Sequence, residues 1–135
     1  VFLLKNVALF FMKKSLNKGG KDYKWAGTDT ESELKNYAWY DANSGSKTHE
    51  VKKKLPNGYG LYDMSGNVWE WCWDWHSSTT PAGGQNPVGV PSGSRRVRRG
   101  SSWFYSEGDA ARAYRDNNNP DNSNNNLGLR VVSRP

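Results

Sequence analysis

Between Val68 and Trp75 the chain alternates without a break, with Trp69, Trp71, Trp73 and Trp75 at one parity and Val68, Glu70, Cys72 and Asp74 at the other. Two is the side-chain period of an extended strand, so the four indoles are predicted to share one face. Four exposed tryptophans on one face would invite aggregation, which predicts that this face is buried core. Upstream, Thr30-Glu31-Ser32-Glu33 has the form of a capping box, and Leu34, Tyr37 and Ala38 follow at helical spacing. This pattern predicts a short helix over 31–38. Leu55-Pro56-Asn57-Gly58 marks a turn. Residues 77–94 carry no charge, three prolines and four glycines, and read as a long loop inside one domain. Arg95–Trp103 and Leu127–Val132 read as strands. Between them, residues 117–126 hold seven asparagines and read as a loop held at both ends, with Asn side chains satisfying backbone groups where ladders are missing.

Composition changes this picture in one respect. Only 35% of the 135 residues are hydrophobic, but 13% are aromatic, so a few large rings can fill a core that aliphatic residues could not. Simple disorder is excluded by the same rings. A disulfide scaffold is excluded because Cys72 is the sole cysteine. The apolar stretch Val1–Met12, broken by Lys5 and Asn6, is too short to span a bilayer.

The net charge of +6 raises nucleic acid as a partner, and its distribution argues against it. All eleven lysines precede residue 55 and all eight arginines follow residue 94. Lys52-Lys53-Lys54 reads as a solvated turn. Arg95-Arg96-Val97-Arg98-Arg99 alternates like a strand and suits structural pairing with carboxylates and rings. His49 and His76, the only histidines, sit in polar turn contexts and make neither a Ser-His-Asp set nor a metal-ligand spacing. Exposed tryptophans could stack on sugars; burial in a core is the preferred reading of the 69–75 series.

Three segments carry a resemblance: Leu-Tyr-Asp-Met-Ser-Gly-Asn-Val-Trp-Glu-Trp at 61–71, Arg-Arg-Gly-Ser-Ser-Trp at 98–103, and Asn-Asn-Leu-Gly-Leu-Arg-Val-Val at 125–132. In order and spacing, over roughly residues 20–135, they resemble the domain of formylglycine-generating enzymes, the sulfatase-modifying factors. The resemblance implies an α+β fold of the C-type lectin-like kind, with little regular secondary structure, as a single domain over 1–135. Residues 1–16 depart from the family's pattern, and the chain is read as truncated at its N-terminus. The resemblance also implies where catalysis should sit. The enzymes carry two copper-holding cysteines after the Arg-Gly-Gly-Ser motif, and by spacing Tyr105 and Ala110 stand at those positions here. Neither supplies a thiolate for copper(I). The motif's second glycine is Ser101. No cofactor is therefore required. A calcium site implied by the family would use the carbonyls of Asp63, Gly66 and Val68 and the carboxylate of Glu70; an Arg–Glu70 ion pair, supplied by 95–99, is the equally weighted alternative.

A narrower resemblance covers 103–130. Trp103-Phe104-Tyr105-Ser106 and the Tyr114–Asn126 run look like the variable region of proteins diversified by retroelements, which mutate adenines and so turn Asn codons into Tyr, Ser, Asp, Phe and others. The residues this implies for a changeable ligand-binding surface are Phe104, Tyr105, Ser106, Asp109, Tyr114, Asp116, Asn117, Asn118, Asn119, Asn122 and Asn124. Glu107 is not reachable from an Asn codon in that way and is excluded, while Trp103, Arg112, Gly128 and Arg130 are expected to be framework. The expected function is non-catalytic binding of a protein or cell-surface ligand, not nucleic acid, by a protein displayed at a cell surface or outside the cell. An inactive or regulatory relative of the formylglycine generator is the alternative, and an active oxidase using other residues a more distant one.

Overall fold

The computed structural model describes residues 23–79 and 89–130, so the expectations for 1–16, for 80–88 within the 77–94 loop and for the end of the last strand lie outside the described residues. Regular structure is sparse and mostly sheet. Among the described residues one helix, α1 (Glu31–Leu34), precedes four strands: β1 (Trp69–Trp75), β2 (Arg96–Arg99), β3 (Asp116–Asn118) and β4 (Leu127–Gly128). They form one sheet in the order β3-β2-β1-β4. β1 runs antiparallel to β2 and parallel to β4, and β2 antiparallel to β3.

The helix is half the expected length. Its cap also differs, because Thr30 makes no side-chain cap. Glu33 instead accepts a hydrogen bond from Thr28 Oγ1 at 2.8 Å, and that hydroxyl accepts from the Thr30 N–H at 2.9 Å. The helix ends in turns, with the N–H groups of Tyr37 and Ala38 both donating to Leu34 O. Leu34 and Ala38 nevertheless reach the core, packed with Trp25 and Ala110, with Tyr40 against them.

This apolar cluster is small, and buried polar groups bind the irregular segments. Asn67 pairs with both backbone groups of His49, at 3.0 and 3.1 Å. Ser65 Oγ donates to Ala110 O and Ser44 Oγ to Trp103 O. Such bonds supply partners that a ladder would otherwise provide. The Gly66-Asn67 pair owes its residue types to this packing. Both adopt positive φ, 77° and 65°, and a Cβ on Gly66 would lie 2.1 Å from Trp39 O. Only glycine fits at that contact, and Asn tolerates the left-handed region better than most residues.

The Trp strand departs from strict alternation. Trp71 pairs with Arg98 but Trp75 with Arg96, so β1 advances four residues while β2 advances two, and a bulge lies between. Trp69 is fully buried, Trp71 and Trp75 are half-buried, and Trp73 is 37% exposed. The expectation of a uniformly buried indole face is thus corrected: only its first member is core. The Asn-rich run is corrected too, since its beginning is β3, an edge strand templated by β2.

β2 stops sooner than expected, at Gly100 and Ser101, which have φ of 87° and 66°. Ser101 is fully buried and its hydroxyl has no partner. A side chain in the left-handed region is strained, and a buried hydroxyl without a hydrogen bond costs free energy. Ser101→Gly is therefore expected to stabilise the fold by about 1–2 kcal/mol, seen as a higher melting temperature. An unchanged or lower value would mean that the lost Cβ contacts outweigh both gains.

Candidate functional site

Two places gather the residues singled out in the sequence. The first is the turn before β1. Glu70 is buried, and Arg130 grips its carboxylate, with Nε 3.0 and 3.1 Å from the two oxygens and Nη2 2.6 Å from Oε1. The same Nη2 donates to the carbonyls of Tyr62 and Asp63, at 3.1 and 3.3 Å. Burial is the largest single influence on Arg130 and works against its charge, but the Glu70 hydrogen bonds and the charges of Glu70 and Asp63 together outweigh it and raise the affinity of the guanidinium for its proton. Asp63 turns its carboxylate to the Lys52 N–H. Atoms expected around calcium are engaged within the chain here. Both Glu70 oxygens and the Asp63 carbonyl already serve a cation belonging to the chain, and Gly66 and Val68 are left without the carboxylate that would complete the set. Glu70 is ion-paired, and its arginine is Arg130, not one from the 95–99 segment that was expected to supply it.

The second place is the surface over Trp69. A turn from Ser102 to Ala110 is pinned to the Gly66-Asn67 turn, where Trp103 N–H donates to Asn67 O, and to the segment at Asp41, whose N–H donates to Tyr105 O. The Tyr105 ring meets Trp69 edge-on at 5.3 Å, the Tyr114 ring lies tilted at 6.2 Å, and Phe104 packs edge-on against Tyr105 at 5.7 Å. Phe104 is 63% and Tyr114 41% exposed. Asn119, Asn122 and Asn124 are exposed, whereas Tyr105, Ser106, Asp109, Asn117 and Asn118 are half-buried. The structure thus brings the aromatic members together with Asp109, which accepts a 2.8 Å hydrogen bond from Ser106 Oγ. The asparagines extend along and beyond β3, where Asn117 accepts from Arg95 and Asn118 from Asn122.

Asp116, expected on the same surface, is half-buried and accepts two hydrogen bonds from Arg98, at 3.0 and 2.7 Å. Arg98 is itself buried and lies over the Trp69 ring, 4.8 Å from its centroid. Asp116 therefore compensates a buried charge. Arg98 and Arg130, the two cations that organise these places, carry the framework and pairing roles expected of Arg130 and of the 95–99 arginines; their particular partners, Asp116 with Trp69 and Glu70, were not identified from sequence.

At the positions that the resemblance assigns to the enzymes' cysteines, Ala110 is fully buried in the core cluster and Tyr105 meets Trp69 edge-on. Cys72 lies elsewhere, on the opposite face of β1. Burial pushes its thiol up to about 12 despite Arg99, so it is not a thiolate at neutral pH.

Residues 13–135 match the family described as the sulfatase-modifying factor enzyme 1-like domain. The formylglycine-generating enzyme of Thermomonospora curvata is 42% identical over 96 residues, which are 65% of this chain and 32% of the enzyme. Treponema denticola variable protein 1 is 56% identical, with a TM-score of 0.77 over 82% of this chain and 41% of that protein. PvdO from Pseudomonas aeruginosa, at 22% identity, shares the fold, with a TM-score of 0.72 over 95% of this chain and 50% of that one. The chain thus spans between a third and a half of the length of these proteins.

Proposed function

From the premise that this chain belongs to the sulfatase-modifying factor enzyme 1-like family, we propose that it is a non-catalytic ligand-binding protein. In this reading an α+β, C-type lectin-like scaffold presents a retroelement-diversified surface, drawn from 103–130, to a protein or cell-surface ligand at a cell surface or outside the cell. The observation that carries the reading is the replacement of a paired-thiolate site by Tyr105 and Ala110, with exposed Phe104 and Tyr114 beside it. Rigid rings with adaptable Ser, Asp and Asn neighbours are the mixture that serves in binding loops. The likeness to Treponema denticola variable protein 1 supports the same reading. The likeness to formylglycine-generating enzymes supports an inactive or regulatory relative as the second.

Two measurements separate them. A near-copy of the Ser102–Arg130 coding region beside a reverse transcriptase, differing only at adenines, is expected in the source genome; its absence would favour the inactive relative. Purified protein is expected to form no aldehyde on a cysteine-containing sulfatase peptide, with or without copper, and sustained turnover would overturn both binding readings. The surface reading also predicts tolerance. Phe104→Ala with Tyr114→Ala should shift stability by no more than about 1 kcal/mol, since substitutions away from packing cost about 0.5 kcal/mol each. A double variant that fails to fold would make these rings structural.

A further inference from the structure

We propose that Arg95, together with the side-chain amides of Asn117 and Asn119, takes a carboxylate from an aspartate or glutamate side chain of a polypeptide partner. This rests on the binding reading above and names the chemistry that the β3 part of the surface selects.

The asparagines of β3 and of the turn after it are oriented by groups that can only donate. Arg95 Nη1 donates to Asn117 Oδ1 at 3.1 Å, and the Asp121 N–H donates to Asn119 Oδ1 at 3.1 Å. Asn118 Oδ1 accepts from the Asn119 N–H at 2.9 Å and from Asn122 Nδ2 at 2.7 Å. A guanidinium and a backbone N–H have no lone pair to offer, so the atom facing each of them must be the amide oxygen. That fixes the amino end of each amide on the other side. Among the described residues the Nδ2 groups of Asn117, Asn118 and Asn119 donate to no protein atom. The strip therefore presents donors, and what it lacks is an acceptor.

Arg95 adds the charge. It is exposed, its backbone is held by the His76 N–H, and among the described residues it forms no ion pair. The bond to Asn117 uses one of five N–H donors and holds the guanidinium beside the amide, with the rest of the fork open to a carboxylate. The neighbouring cations of β2 are committed within the chain: Arg96 lies over Trp75 and Trp73, and Arg98 serves Asp116. The carboxylates of this segment do not neutralise Arg95. Asp116 accepts from Arg98 and from the Asn117 N–H. Asp121 stands in the turn closed by the Asn122 N–H on Asn119 O, and among the described residues it makes no ion pair.

The edge of the sheet narrows the mode of contact. β3 is an edge strand, but its Asn117 N–H is taken by Asp116 Oδ1 at 2.7 Å, and the Asn119 N–H by Asn118. These local bonds compete with a further ladder, so recognition falls to side chains. A planar carboxylate on a short side chain meets a guanidinium and an amide donor together. A sugar would call for open ring faces, and the indoles paired with this part of β2, Trp73 and Trp75, already stack on Arg96. In the binding reading Arg95 precedes the diversified segment 103–130, so the charge that sets this preference stays while the asparagines change.

The test is selection of a random dodecapeptide phage library on the full chain, followed by titration of the selected peptides. Selected sequences are expected to be enriched in Asp and Glu and to lose at least about tenfold in affinity for Arg95→Gln. Asn119→Asp keeps the oxygen that accepts from Asp121 and exchanges only the donor for a negative oxygen; it should cost about tenfold as well. Replacing the acidic residue of a selected peptide by its amide should do the same and does not depend on any variant folding. Peptides without acidic enrichment, or that ignore Arg95→Gln, Asn119→Asp or the amide exchange, would overturn the inference while leaving the binding reading standing. Oligosaccharides of uronic acid held through Arg95, with no peptide selected, would overturn the polypeptide source. Binding of neither probe would overturn the inference and the binding reading together.

Discussion

Trp69→Ala is expected to destabilise the domain by about 3–5 kcal/mol, the range for removing a large buried aromatic side chain. For a domain of ordinary stability that loss is a large share of the total. Trp69 is fully buried where three things meet: the Arg98 guanidinium over its ring, and the Tyr105 and Tyr114 rings against it. Its removal empties a cavity beneath the proposed binding surface and strips Arg98 of a ring face. Trp73→Ala, on the same strand, should cost only about 1 kcal/mol, because this indole is 37% exposed and its main partner is the Arg96 guanidinium. Urea unfolding of the two variants checks the contrast. Equal losses would mean that the bulge in β1 does not divide the strip into a core end and an exposed end.

The second large effect belongs to Glu70 and Arg130. Removing one member of a buried pair leaves the other charge uncompensated, at a cost of about 3–5 kcal/mol. Arg130→Ala should fall at the low end, about 3 kcal/mol, because the Arg130 side chain is 30% exposed and water can partly reach the site. The double variant Glu70→Ala, Arg130→Ala should cost clearly less than the sum of the single ones, and additivity would mean that the two do not act as a pair. The same geometry predicts that calcium added to chelator-treated protein releases no heat and leaves the melting temperature unchanged, since Arg130 already satisfies the carboxylate. A calcium-dependent rise would instead show that the cation displaces the guanidinium, and would restore the site expected from the family's pattern.

The sequence made the family legible because its turn motifs are local. Gly66 and Asn67 occupy positive-φ positions in a turn read directly from Gly-Asn-Val-Trp-Glu-Trp, and the strand that follows announces itself by period two. The exposed aromatics were partly legible as well: Trp103, Phe104 and Tyr105 are consecutive, and three rings in a row cannot all enter one core. The helix was overread. Helical spacing of Leu34, Tyr37 and Ala38 also suits a single turn followed by bends, and Thr28 takes the glutamate that a longer, capped helix would have used.

What the sequence determined alone, then, was the position of the central strand, which follows from periodicity within a few positions, and the presence of a single cysteine, which follows from residue identity. The scaffold and the places where the related enzymes carry cysteines came through the resemblance of its local motifs to that family. The tertiary structure decided which tryptophan is core, because the register shift between Trp71 and Trp75 depends on how β2 pairs with β1. It decided that Asp116 compensates Arg98, an assignment made across two strands, and that Glu70 is held by Arg130, sixty residues away. Local patterns carry the preference of a segment for a strand or a turn. They do not carry the partner of a buried charge, since desolvation is relieved by whichever opposite charge the folded chain brings into reach, at any separation in sequence.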